Sequence, residues 1–143
     1  MADSSSFVGT WRLLPWEARE PDGTIRHVYG RNPVGYLVYT ADGYVPAEIM
    51  DPDRQQSDPH FPLEPADAQT LPDADRARAY STYVSYCETY TVEEGTVVHH
   101  VEAGLVPSWT GSDQRRHFRF DGGRLVLGAG RHELTSERAV KHA

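Results

Sequence analysis

The 143-residue chain contains a single cysteine, Cys87, and no apolar run that approaches membrane-spanning length. One cysteine cannot form an intramolecular disulfide, and it supplies no thiolate cluster for zinc. The residues that follow Met1 include neither a basic start nor the apolar stretch of a secretion signal. We therefore expect a cytoplasmic protein without structural disulfides.

Basic residues are also few, with 14 Lys and Arg against 21 Asp and Glu, which gives a net charge of -7. This charge works against binding to a phosphate backbone, so nucleic acid is not an expected partner. A membrane is not expected either, because no apolar run is long enough to span one. No glycine-rich loop follows a strand and opens a helix, and we expect no nucleotide cofactor. Because neighbouring strand residues face opposite sides, His99 and His100 cannot chelate one metal ion together, and no metal site is predicted.

Short strand-forming segments separated by turn residues make up most of the chain, a pattern typical of a sandwich or a barrel. A two-residue turn at Asp42-Gly43 would pair Val38 with Ala47 and Tyr36 with Ile49. A second turn at Gly122-Gly123 would place Phe120 opposite Leu125 and Phe118 opposite Leu127. A last strand over residues 131–140 would close the sheet.

Residues 51–72 depart from this pattern, because they contain five prolines and few large apolar side chains. Loops of this length are often functional, and we predict a lid over the barrel mouth with His60 and Phe61 as its contact points. The alanine-rich stretch that follows, residues 73–80, predicts one short helix.

The segment 86–103 predicts a hairpin with a defined register. A tight turn at Glu94-Gly95 pairs Val92 with Val97, Tyr90 with His99 and Glu88 with Val101. These six residues share one face, which carries more of the apolar side chains and is predicted to face the interior. Alternation along residues 114–120 turns Arg116 inward as well.

The inward polar residues His99, Glu88, Tyr90 and Arg116 are the candidate catalytic groups. His99 or Glu88 could move a proton near neutral pH, while Arg116 or Tyr90 holds the developing negative charge. Two structural interpretations stay open: His99 as a core histidine bonded to Tyr90, and Glu88 with Arg116 as a buried ion pair without a catalytic role. The candidate ligand-binding residues are Tyr36, Val38, Trp109, Phe118 and Leu127.

Gly9-Thr10-Trp11 resembles the Gly-X-Trp signature of lipocalins. In that family the tryptophan closes the floor of the barrel, and an arginine from the far end of the chain stacks over it. The resemblance assigns these roles to Trp11 and, by position, to Arg138. The segments 33–44 and 96–102, with the later Pro107 and Trp109, are more specific and look like the bacterial lipocalin-like domain family.

The length predicts a single domain over residues 1–143. With the resemblance, we expect an all-β, small closed antiparallel barrel of about eight to ten strands with one short helix. The resemblance also implies an internal pocket, which we expect to bind a largely apolar small molecule. We expect a monomer or homodimer. The leading hypothesis is a cofactor-independent isomerisation or cyclisation of a polyketide-like compound in natural-product biosynthesis. The alternatives are a carrier of a hydrophobic metabolite and an interaction module with a solidly packed barrel.

Overall fold

The structure is a computed structural model that describes residues 3–54 and 70–140, and within them it contains nine strands, two α-helices and a 3₁₀ turn. The helical elements are α1 (Ser4–Phe7), α2 (Asp73–Ser81) and the 3₁₀ turn at Pro107–Trp109. The strands are β1 (Gly9–Arg19), β2 (Ile25–His27), β3 (Val34–Tyr39), β4 (Ala47–Met50), β5 (Tyr83–Glu93), β6 (Thr96–Gly104), β7 (Asp113–Asp121), β8 (Arg124–Ala129) and β9 (His132–Arg138).

The strands close into an antiparallel barrel through β1. From β3 to β9 each strand pairs with the next along the chain, and β1 pairs with β3 on one edge and with β9 on the other. These eight strands leave no free edge among themselves, while β2 adds a short ninth strand beside residues 17–19 of β1. The predicted all-β closed barrel with a short helix is confirmed. None of the described helices is long and apolar enough to cross a membrane.

A bulge in β1 decides which of its side chains face the interior. Trp11 and Leu13 are buried before it, and Ala18 is buried after it, although strict alternation would turn Ala18 outward. The pairing with β9 shifts between Leu13 and Trp16, where Pro15 has no N–H to donate to a partner strand. The extra residue turns Trp16 toward the core.

The barrel floor is held by Trp11 and Arg138. The guanidinium carbon of Arg138 lies 4.3 Å from the Trp11 ring centroid, and the Trp11 indole N–H donates to the carbonyl of Phe7 at 2.7 Å. Arg138 also donates to the carbonyls of Val8 and Ser6, at 2.8 and 3.1 Å. The roles that the resemblance assigned to Trp11 and Arg138 are confirmed.

Aromatic side chains pack together above this floor. The ring of Phe7 lies 4.8 Å from Phe118 and 5.1 Å from both Tyr39 and Phe120, measured between centroids. Tyr90 stands edge-on to Tyr39 at 4.9 Å, so one continuous aromatic cluster fills this end of the barrel.

Two predicted hairpin registers are confirmed. In β5–β6 the pairs are Val92 with Val97, Tyr90 with His99 and Glu88 with Val101, and in β7–β8 they include Phe118 with Leu127. The sequence also predicts that Trp11, Val92, Val97, Phe118 and Leu127 are buried together in the barrel interior. This is confirmed for Trp11, Val97 and Leu127, which are at most 1% exposed. Val92 and Phe118 are only half-buried against the core, and Val98, predicted to face solvent, is buried as well.

The register predicted for β3 and β4 is wrong by one residue. Ala47 pairs with Leu37 instead of Val38, and Ile49 pairs with Gly35 instead of Tyr36. The physical reason is the loop length: the amide of Thr40 donates to the carbonyl of Tyr44, so residues 41–43 form a three-residue loop rather than a two-residue turn. Each side chain of β3 consequently faces the side opposite to the predicted one.

The predicted lid falls largely on residues 55–69, which lie outside the described part of the chain together with His60 and Phe61. The lid therefore stays a prediction. The short helix predicted over residues 73–80 is confirmed as α2.

Gly9 provides a test of the floor, because its φ is +137° and a β-carbon there would lie 2.5 Å from Nη1 of Arg138. We expect Gly9→Ala to push Arg138 away from its carbonyl partners, and to lower the free energy of unfolding by about 1–2 kcal/mol more than Gly43→Ala. Gly43 is the matched control, since its φ is +101° and its β-carbon would meet nothing within 4 Å. Chemical denaturation measures both variants, and equal losses would contradict the proposed clash with Arg138.

Candidate functional site

The middle of the barrel contains a histidine and a glutamate that solvent does not reach. His99 and Glu88 are both 0% exposed, and Nδ1 of His99 lies 2.6 Å from Oε1 of Glu88. The other ring nitrogen, Nε2, is hydrogen-bonded with the hydroxyl of Tyr39 at 2.8 Å. The structure thus brings together His99 and Glu88 as a buried pair, with Tyr39 as a third member.

The pair is close but incompletely hydrogen-bonded. The Nδ1 to Oε1 contact does not have hydrogen-bond geometry, and neither oxygen of Glu88 has a hydrogen-bond partner among the described residues. Buried polar atoms are nearly always partnered, by protein groups, by ordered water or by a ligand. The pair keeps a capacity to accept or donate hydrogen bonds that the described fold does not use.

Burial sets the protonation states of the pair. It raises the pKa of Glu88 to about 8, although the positive charge of Arg116 opposes this shift. Burial also lowers the pKa of His99 well below its ordinary value, and Arg116 and His100 act in the same direction. At neutral pH the pair is therefore a carboxylic acid beside a neutral imidazole, instead of two opposite charges.

A cavity of about 240 Å³ lies inside the barrel. Most of its wall is apolar or aromatic, with a few polar side chains. The lining residues are Trp16, Ile49, Val84, Tyr86, Trp109, Gln114, Arg116, Ala129, His132 and Leu134. The bulge in β1 places Trp16 in this wall, and the 3₁₀ turn supplies Trp109, whose ring lies 5.9 Å from Tyr86.

Arg116 supplies a positive charge to the cavity. Its Nη2 donates to Oε1 of Gln114 at 2.7 Å, while its Nε is buried without a hydrogen-bond partner among the described residues. No described carboxylate lies within ion-pair distance of it, so the predicted ion pair of Glu88 with Arg116 is not formed. Burial raises the pKa of Tyr86, and Arg116 opposes that shift as it does for Glu88.

His132 is held in one tautomer at the cavity wall. The indole N–H of Trp16 can only donate, and it donates to Nδ1 of His132 at 3.1 Å. A neutral His132 consequently carries its proton on Nε2. Burial lowers the pKa of His132, and the charges of Arg131, Arg26 and Arg116 add to that effect. His132 is therefore a neutral hydrogen-bond donor at neutral pH.

The predicted site residues fall into three groups. Trp109 and Arg116 line the cavity. His99 and Glu88 are fully buried and do not belong to the lining. The remaining predictions lie elsewhere: Tyr90 donates to the carbonyl of Thr40 instead of bonding to His99, Phe118 and Leu127 pack in the core, and Tyr36 and Val38 face outward on β3.

Sequence reasoning missed Tyr39, Trp16, Tyr86 and His132. Tyr86 was within reach, because it alternates with Glu88 and Tyr90 along the predicted hairpin. Tyr39 was hidden by the one-residue error in β3, and Trp16 by a bulge that strict alternation does not anticipate.

Comparison with known proteins gives a consistent result. A family model described as a lipocalin-like domain matches residues 8–141. A lipocalin-like protein from Bacteroides uniformis ATCC 8492 superposes with a TM-score of 0.52 at 11% identity, over 94% of this chain and 99% of the other. An uncharacterized protein from Bacteroides eggerthii DSM 20697 gives 0.51 at 9% identity, over 93% and 99%. Such low identities show the fold alone, and a search of curated proteins gave no match.

The raised pKa of Glu88 predicts a loss of stability with rising pH. Between the ordinary histidine pKa of 6.5 and about 8, the folded protein keeps a proton on Glu88 that the unfolded chain has released. The free energy of unfolding should then fall by about 1–2 kcal/mol across this window relative to Glu88→Gln. Below pH 6.5 the unfolded chain protonates His99 and the folded protein does not. This difference makes the free energy of unfolding rise with pH, so it offsets the effect of Glu88 there.

Denaturation at pH 6.5, 7.25 and 8 measures this difference. Glu102→Gln, which removes an exposed glutamate from β6, is the matched control and should keep the pH dependence of the parent. Parallel curves for the parent and Glu88→Gln would show that Glu88 does not hold the proton.

Proposed function

Because the chain belongs to the lipocalin-like domain family, we propose that it binds a small, largely apolar molecule inside its barrel. The observation that carries this proposal is the cavity of about 240 Å³, walled by Ile49, Val84 and Leu134 and flanked by two tryptophans. A concave, mostly apolar cavity with a few convergent polar groups is the usual form of a ligand site. Barrels of eight strands commonly hold one small ligand in this way.

The cavity volume limits the size of the ligand. Pockets for drug-sized molecules begin at about 300 Å³, so a cavity of about 240 Å³ fits a molecule of one or two rings. The rings of Trp16, Tyr86 and Trp109 offer flat faces and edges, which favours a planar ligand.

A filled-cavity variant tests binding. Trp16 and Trp109 report on the cavity by fluorescence, and 2-naphthol is a neutral two-ring probe that fits the volume. We expect 2-naphthol to quench the tryptophan fluorescence of the parent, and Ala129→Phe to weaken its binding at least tenfold by occupying the cavity. Ala41→Phe is the matched control, because Ala41 is exposed in the loop between β3 and β4. Equal affinity of the parent and Ala129→Phe would place the probe outside the cavity and contradict the proposal.

A second candidate function is the cofactor-independent isomerisation or cyclisation of an enolisable, polyketide-like compound. It is favoured by the buried acid Glu88, whose pKa of about 8 lies near neutrality, next to the neutral base His99. In such a reaction a proton leaves a carbon beside a carbonyl group and returns at another position, while Arg116 holds the enolate oxygen. Glu88 and His99 do not line the cavity, and binding alone is for this reason the first proposal.

Proton exchange into a probe ketone separates the two functions. The α-protons of 2-tetralone exchange with solvent deuterium on enolisation, which NMR follows directly. An acid-base enzyme should accelerate this exchange, and Glu88→Gln or His99→Phe should lower the accelerated rate by about 10² to 10⁴ while 2-naphthol still binds. A rate in the parent equal to that of Ala129→Phe would leave binding as the function.

A further inference from the structure

We infer that the ligand is an anion, a small planar carboxylate whose charged group pairs with the guanidinium of Arg116 in the cavity. The inference rests on the proposed binding function and deepens it by naming the chemical class of the ligand. Three features of the cavity support it: its positive charge, the unpartnered Nε–H of Arg116 and the character of the other polar groups in the wall.

The charge of the cavity is positive and uncompensated. Among the described residues, no carboxylate lies within ion-pair distance of Arg116, and Glu88 is the one fully buried carboxyl group. Glu88 is mostly protonated at neutral pH and provides little counter-charge. Arg116 is half-buried and its Nε is fully buried without a partner among the described residues, so an anion in the cavity gains a charge interaction that is only partly screened by water.

The hydrogen-bond donors of Arg116 match a carboxylate. Nη2 donates to Gln114, the guanidinium also hydrogen-bonds with the phenol of Tyr86, and Nε–H is buried without a partner among the described residues. These two nitrogens form one edge of the planar guanidinium. A carboxylate accepts two parallel hydrogen bonds from such an edge, a geometry that a single carbonyl oxygen cannot reproduce.

The remaining polar groups in the wall add donors and no negative charge. His132 carries its proton on Nε2, and Tyr86 keeps its hydroxyl proton because burial raises the pKa of its phenol. Within residues 3–54 and 70–140, no aspartate or glutamate belongs to the lining. This arrangement disfavours cationic ligands. The apolar walls of Val84 and Leu134 disfavour ions that lack an apolar body, such as inorganic phosphate, which leaves a carboxylate attached to a ring system.

A matched pair of probes tests the inference. 2-Naphthoate and 2-naphthamide have nearly the same shape and differ in charge. At pH 7 we expect the parent to bind the carboxylate at least tenfold more tightly than the amide, measured by calorimetry or by tryptophan quenching. Arg116→Gln should abolish this preference, and Arg116→Lys should retain part of it. Arg115→Gln is the control, since it removes the same charge from the neighbouring exposed residue that pairs with Glu93.

Each outcome separates this inference from the function on which it rests. If the parent binds both probes equally, the inference that the ligand is an anion is wrong, while the proposed binding function is unaffected. If Arg116→Gln still binds 2-naphthoate more tightly than 2-naphthamide, Arg116 does not bind the carboxylate, and the inference is also wrong. Should Arg116→Gln fail to fold, the comparison of probes in the parent and in Arg116→Lys decides. If the parent binds neither these probes nor 2-naphthol, the proposed function and the inference both fall.

Discussion

The pairing of β1 with both β3 and β9 is the constraint on which the rest of this barrel depends. It joins the first strand to the last, and the stacking of Arg138 over Trp11 fastens the two chain ends at the same place. Gly9 is required there, because a β-carbon would meet the guanidinium group of Arg138. This contact and the aromatic cluster around Phe7 fill one end of the barrel. A cavity can therefore lie only in the remaining part of the interior.

The interior then changes in character along the barrel axis. The sealed end is aromatic, the middle contains the neutral polar pair of Glu88 and His99, and beyond it lies the cavity with the positive charge of Arg116. A low-dielectric interior tolerates the middle layer because burial neutralises both groups through opposite shifts of pKa. The same remedy does not exist for Arg116, since a guanidinium cannot lose its proton at any ordinary pH.

Much of this arrangement could be predicted from the sequence wherever a tight turn fixed the register. The turns at Glu94-Gly95 and Gly122-Gly123 led to correct pairings for Glu88, His99 and Phe118. A two-residue loop allows its two strands to pair in one register only. The Ala41–Gly43 loop has one residue more than the sequence suggested, and this single residue turned Tyr36 and Val38 inward in the prediction and hid Tyr39. Bulges act in the same way, so the position of Trp16 depended on a local irregularity that side-chain periodicity does not encode.

The balance between carrier and enzyme depends on where the proton-transfer groups stand relative to the ligand. Arg116 lines the cavity, and its charge contributes to the pKa shifts of Glu88, His99 and Tyr86. A charged ligand bound to Arg116 would therefore also change the pKa values of these buried groups. An anion bound to Arg116 would offset the positive charge that lowers the pKa of Glu88. The pKa of Glu88 would then rise further, and Glu88 would keep its proton to a higher pH. Occupancy of the cavity and protonation of the buried pair are thus linked through one guanidinium, whether or not a proton is passed to the ligand.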